Sequence, residues 1–332
     1  MNISLNFNRI IILIICTLIF SSCGMLRKKM SSSSFTQINI ESDSIYYTPI
    51  IWNFDTLKNG ETNKTAMFIP VYVKDFDQYA KMQLDLGATS SMFYYKTLIA
   101  LSENYPDINS RLKVTEKGNH FYENSVIAFN EGVLLKKDKL YVMKNMGHDT
   151  LPENMPVIGT LGYDILDEYI LIIDYINDRS ALVSELPVEL EKKVKFIENA
   201  DLKNFPIILP FKLGQKKVRL LFDTGSSSFQ VLTSTRRLKK LAVKREIMPI
   251  DSVYSWGKVD VVYKAKVQKI KDPNLYLGDI NFGKVEVTGL DRLNTLSILG
   301  RYLYGITGNV IFEDCVIVID RKNNRFGIMR NE

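Results

Sequence analysis

The chain has 332 residues, 46% of them hydrophobic and 24% charged, which suits a folded protein with room for two domains and a large apolar interior. A formal charge of +6 is small for this length, so no nucleic-acid partner is expected. Only two histidines (His120, His148) and three cysteines, two of these in the first 23 residues, argue against zinc sites, Ser-His-Asp hydrolysis and a disulfide framework; no metal or cofactor is expected.

From the N-terminus, Arg9 precedes an apolar run of 11 residues, Ile10 to Phe20. A bilayer span needs roughly 20 residues, so this run suits the core of a signal peptide. It ends in Phe-Ser-Ser-Cys-Gly, with small Ser21 and Ser22 before Cys23, which resembles a bacterial lipoprotein cleavage site. The resemblance implies removal of residues 1–22, lipidation of Cys23, and attachment to a membrane of the bacterial cell envelope through that lipid. An ordinary secretory signal or an uncleaved anchor are the other readings. Residues 23–46 are basic and then Ser-rich, without an apolar period, and read as a flexible tether. No acidic residue follows Cys23 closely, so the body is expected on the periplasmic side.

Beyond the tether, the patterns are strand-like. The runs at 126–129, 140–146, 259–267, 275–287 and 315–320 are short, rich in β-branched and aromatic residues, and bounded by Gly, Asn, Asp or Pro. Helices are predicted at 97–105, at 236–246 and in short segments after Gly162 and Gly308. In the basic run 236–246, Leu238, Leu241 and Val243 would form the inner side; a solvated outer face and a membrane-surface contact are both open. The fold class is mostly β with a few short helices.

The chain also repeats itself. Met-Gln-Leu-Asp-Leu-Gly-Ala-Thr-Ser-Ser around Asp85 parallels Leu-Leu-Phe-Asp-Thr-Gly-Ser-Ser-Ser around Asp223. A second pair begins at Gly159 and Gly305. In each, a second glycine (Gly162, Gly308) precedes a strand-ending aspartate (Asp174, Asp320) by 12 residues, and Asn177 and Arg179 match Asn323 and Arg325. A third, weaker pair starts at Asp138 and Pro273. An isolated Asp-x-Gly is usually a turn, but three paired segments in one order point to duplication. The boundary falls near 186–196.

With these segments the sequence resembles the pepsin and retropepsin superfamily of aspartic proteases, most sharply in Phe-Asp-Thr-Gly-Ser-Ser-Ser from Phe222 and in the run from Val316. The resemblance implies a two-lobed pepsin-like fold, with lobes at 47–190 and 191–332. It also implies a monomer that cleaves a peptide or protein substrate in the cleft between them. Asp85 and Asp223 would face each other as the catalytic pair and share one proton, a known property of this family's dyad. Gly87 and Gly225 would let the backbone approach the carboxylates. Gly162 and Gly308 would end strands packed beneath the loops. Thr224 would hydrogen-bond across to the opposite loop, whereas Leu86, where the family has Thr or Ser, cannot. Ser226 would donate to Asp223 and favour its charged form; Ala88 offers Asp85 no such hydroxyl. Tyr122 is the candidate for a flap tyrosine, with packing as the other reading, and Trp256 beside Gly257 marks the matching segment of the second half. Leu86 leaves open a non-catalytic binder of peptides or envelope components on the same fold. An assembly requiring a partner chain is made unnecessary by the duplication.

Overall fold

Short apolar runs between Gly, Asn and Asp turns carry the two-residue alternation of half-buried strands. In a computed structural model of the chain they pair into three sheets. The structure describes residues 36–40, 43–56, 62–130, 133–243, 248–255, 258–267, 269–294 and 303–330. Residues 1–22, read as a signal peptide, Cys23, residues 244–246 of the basic run, Trp256 and Gly257 lie outside the described residues. Among the described residues no helix is long and apolar enough to cross a membrane.

An eight-stranded sheet is drawn from 51–161 and a nine-stranded sheet from 208–307, counted over the described residues. Their middles have the same order. In the first, Gln78–Leu84, Val157–Leu161, Met92–Tyr94 and Val133–Met143 lie side by side. In the second, Lys216–Phe222, Gly305–Thr307, Val231–Ser234 and Val287–Leu290 do so. The first two strands of each set are parallel, the next pair antiparallel, and the last pair parallel again.

This order corrects the weakest repeat. The strand Val133–Met143, which carries the segment from Asp138, corresponds in position to Val287–Leu290. The segment from Pro273 forms Asn274–Leu277, at the far side of the second sheet against Ile208–Leu213. The likeness of those two segments was a shared Leu-Tyr in an alternating pattern, which any half-buried strand can carry.

The third sheet mixes both halves in the order Thr36–Ile40, Asp43–Pro49, Arg179–Val183, Ile170–Asp174, Cys315–Asp320, Arg325–Arg330 and Lys195–Phe196. Part of the stretch read as a tether, 23–46, is therefore strand, with Asp43–Pro49 paired to Arg179–Val183. At the centre, Ile172 lies opposite Val318, and each stands 10 residues after its glycine, Gly162 or Gly308. The equivalent residues of the two repeats thus pair with each other. Alternation then sorts the side chains. Leu171, Ile173, Ile317 and Ile319 join the main core, while Ile170, Ile172, Val316 and Val318 face a second core capped by Leu190 of the helix Val188–Lys193.

The hairpins that close this sheet are built alike. Asp174 accepts from the Asn177 backbone and side-chain amides and from Arg179 Nε at 3.1, 2.8 and 2.7 Å. Asp320 accepts from Asn323 and Arg325 in the same way at 3.1, 2.8 and 3.0 Å. Both arginines then lie over a ring, Arg179 on Tyr47 and Arg325 on Phe196. Burial raises the Asp320 carboxyl, but the Asn323 and Arg325 bonds outweigh it and hold the group below the usual carboxylate range.

The predicted helices form with altered ends. The segment at 97–105 is helical over Tyr95–Ser102 and stops before Pro106, which disfavours helix in the residue preceding it. The basic helix spans Thr235–Leu241, capped by Ser234 accepting from the Arg237 N–H at 3.2 Å. Leu238 is fully buried as expected, but Ala242 is extended and Val243 is exposed, so Val243 does not belong to the inner face. Short 3₁₀ turns follow Gly162 and Gly308 at Tyr163–Asp167 and Asn309–Phe312.

Candidate active site

Each of the two central strands Gln78–Leu84 and Lys216–Phe222 is followed by an aspartate that begins a tight loop. Asp85 N–H donates to Leu161 C=O and Asp223 N–H to Thr307 C=O, both at 2.9 Å, so each aspartate is tied to the strand ending in its own glycine. Ala88 and Ser226 N–H close the turns onto Asp85 and Asp223 C=O, and Tyr163 and Asn309 N–H bond to Ala88 and Ser226 C=O. The two loops are the same object made twice.

They meet. A side chain at Gly87 would stand 2.5 Å from the Asp223 carboxyl carbon, and one at Gly225 would stand 2.7 Å from that of Asp85. Neither glycine has a positive φ, so it is this close approach, and not the turn, that excludes a Cβ. Gly87 N–H donates to Asp85 Oδ1 at 3.0 Å and to Asp223 Oδ1 at 3.1 Å, and Gly225 N–H donates to Asp223 Oδ1 at 2.8 Å. The Gly87 N–H thus bridges the two carboxyl groups. They are 3% and 4% exposed, too dry for either to be held by solvent alone.

Such a pair cannot ionise twice. Burial, then the charge of Asp223 and the bond between them, pushes the Asp85 carboxyl well above the usual carboxylate range. Burial raises Asp223 too, but the bond from Asp85 and the Gly225 and Gly87 N–H groups pull it back. Asp85 is thus the member pushed further towards its protonated form. The apparent titration belongs to the pair.

Gly162 and Gly308 lie under the loops: a Cβ on Gly162 would strike the backbone of Ser90, and one on Gly308 would strike that of Ser226. Thr224 Oγ1 donates to Leu84 C=O at 3.0 Å and accepts from Leu86 N–H at 2.9 Å, crossing from one loop to the other. Leu86 is fully buried in the apolar core, and the cross-brace is one-sided as its side chain requires.

Two expectations fail. Ser226 is fully buried, but its Oγ has no hydrogen-bond partner, so it does not donate to Asp223. Tyr122 is no hairpin-tip residue: it is fully buried in the strand His120–Asn130, edge-on to Phe93 at 5.4 Å, with its hydroxyl unpaired. His120 begins that strand beside the Tyr95 ring.

Sequence reasoning missed the residues that anchor the loops from behind. Ser91 Oγ donates to Asp164 at 2.7 Å and accepts from Gly162 N–H at 3.0 Å, and Lys137 pairs with Asp164 at 3.0 Å. On the other side Asn309 Nδ2 donates to Thr224 C=O and to Ser227 Oγ, both at 2.7 Å, and Asn309 Oδ1 accepts from Tyr175 OH at 2.7 Å. A serine near a motif and an amide after a glycine are too common to signal this alone. Compared with models of known protein families and with curated protein sequences, the chain matches neither.

Proposed function

We propose that the protein is a lipid-anchored aspartic endopeptidase on a two-lobed pepsin-like fold, hydrolysing peptide bonds with Asp85, Asp223 and an activated water. One observation carries this reading: two dry carboxyl groups on equivalent loops, bridged by the Gly87 N–H, each against the glycine of the opposite loop. The recurrence of one strand order in two sheets, and the pairing of Ile172 with Val318, support the two-lobed duplication.

In this reaction the Asp223 carboxylate takes a proton from water as the water oxygen attacks the peptide carbonyl carbon. Asp85 gives its proton to the carbonyl oxygen, which forms a neutral gem-diol. Collapse of the diol returns a proton to Asp85, and Asp223 passes its proton to the leaving nitrogen, so the pair regains one proton and one charge. The backbone N–H groups of Gly87 and Gly225, held by their loops, need not reorganise as charge moves. Lipidation at Cys23, periplasmic exposure and action as a monomer on peptide or protein substrates belong to the same proposal.

The one-sided brace at Leu86 favours a second reading, a binder of peptides or envelope components that does not turn over. A peptide-library digest separates the two, from about pH 3 to pH 7 where a carboxyl pair can hold one proton. The protein should span residues 24–332, which keeps the edge strands Thr36–Ile40 and Asp43–Pro49. Cleavage that is lost in Asp85→Asn and in Asp223→Asn and blocked by a pepstatin-type inhibitor is expected. A folded sample that cuts nothing at any pH rules for the binder.

A further inference from the structure

The two loops match in backbone but differ in what stands behind them. Thr224 C=O and Gly225 N–H belong to one planar trans peptide, so they point in opposite directions. Asn309 Nδ2 donates to that carbonyl at 2.7 Å, and on the other side the same peptide's N–H donates to Asp223 Oδ1 at 2.8 Å. A donor on the carbonyl end of an amide polarises its N–H, and chains of such bonds strengthen one another in a dry interior. Asn309 and Thr224 are 2% and 0% exposed.

Tyr175 decides which way the Asn309 amide faces. Its hydroxyl donates to Oδ1 at 2.7 Å, which leaves Nδ2 for Thr224 and Ser227. The Tyr175 ring is stacked between Trp52 and Phe312, at 6.4 Å from each. Tyr175 comes from the first half and Asn309 from the second, so this contact also crosses the seam.

Among the described residues the first loop has no counterpart to this wiring. The residue after Gly162 is Tyr163, and its hydroxyl donates to Leu202 C=O, away from the Leu86–Gly87 peptide. Tyr163 is met across the seam by Arg321, which lies over its ring at 4.8 Å. Arg321 follows Asp320 as Tyr175 follows Asp174, so the same crosswise contact is made twice, but only one copy is wired into a loop.

We infer that Asn309, oriented by Tyr175, is a positioning residue that selects Asp223 as the charged member of the pair. It takes over, from behind, the bracing that Leu86 cannot give, and it supplies the asymmetry that Ser226 does not. Among the described residues, the charged group facing each dyad carboxyl is the other carboxyl; Glu313 and the Cys315 thiol face Tyr175. The inference deepens the proposed endopeptidase reading and uses its site.

The test is a carbon-13 carboxyl NMR titration of the whole protein and of its Tyr175→Phe and Asn309→Ala variants. The lower of the pair's two apparent pKa values should rise by about half a pH unit or more in both variants, as loss of part of a hydrogen bond to a carboxylate requires. Tyr175→Phe removes one oxygen and keeps the stacked ring, so it tests the inference even if Asn309→Ala unfolds. An unchanged pair in Tyr175→Phe overturns the inference. The titration needs no substrate, so failure of the wild type to cleave peptides would sink the endopeptidase reading and leave this result readable. With cleavage in hand, the acid limb of kcat should move up by the same amount while KM stays within about twofold; an unmoved limb overturns the inference as well.

Discussion

Two buried hydroxyls, Thr224 Oγ1 and Ser226 Oγ, lie two residues apart and have opposite worth. The first joins Leu84 C=O to Leu86 N–H across the seam, and the second touches no polar partner. Thr224→Val keeps the shape and leaves two buried backbone groups unpaired, so a loss of about 2–4 kcal/mol is expected in urea unfolding. Ser226→Ala removes an unsatisfied group and should leave stability unchanged or raise it by up to about 1 kcal/mol, with the dyad titration unmoved. A pH-dependent loss in Ser226→Ala would restore the donor role expected from sequence. Asp85 tests the shared proton through stability. Its folded pKa is raised, so the unfolded chain ionises first as pH rises, and folding of the wild type becomes linked to proton uptake. Below about pH 4 both states are protonated and Asp85→Asn gains nothing by this route. From there up to the folded pKa of the pair, the variant's stability relative to wild type should climb. A flat or falling difference from about pH 4 to pH 8 would place the proton elsewhere.

At the scale of elements, the hairpins after the strands Ile170–Asp174 and Cys315–Asp320 show which parts of the sequence speak plainly. Asp, Asn three residues on and Arg two beyond that make one self-contained device, so matching letters become matching bonds. The dyad loops are legible for the same reason: each is closed within a few residues, and its glycine is needed wherever the other carboxyl arrives. Asn309 and Tyr175 were not legible, since they lie in different halves and their pairing is set by how the halves meet. Tyr122 misled because an aromatic in a hairpin reads alike whether the ring points to a cleft or to a core. For Asp320 the folded pKa is lowered, so its stabilisation is present above the unfolded value of about 3.8 and fades as pH falls through the folded one. Asp320→Asn should therefore cost about 2–4 kcal/mol at pH 7, by leaving the Arg325 and Asn323 donors without a charged acceptor. That cost should shrink towards zero in acid; a pH-independent loss would mean packing alone.

For the whole molecule, the third sheet is what makes two repeats one body. Strands of the first half lie on one side of it and strands of the second half on the other, joined where Ile170–Asp174 pairs with Cys315–Asp320, and its two faces feed two cores. Neighbouring residues of one strand, Leu171 and Ile172, lie opposite Ile319 and Val318 of the other half and belong to different cores. Unfolding either half would therefore strip both cores of the half that remained. One cooperative transition is expected: tryptophan fluorescence and far-ultraviolet circular dichroism should coincide across a urea series, and separated midpoints would show independent halves. The repeat was visible in the spacing of Gly162 and Gly308 from their aspartates, whereas the shared strand order was not. A last consequence follows from Ile172 lying opposite Val318. A ribbon edge that binds the matching residues of its own repeat is close to self-complementary, so a proteolytic fragment holding only one repeat would offer that edge to another identical fragment. Nicking the connector between the repeats should thus yield sticky, self-associating pieces rather than two quiet monomers.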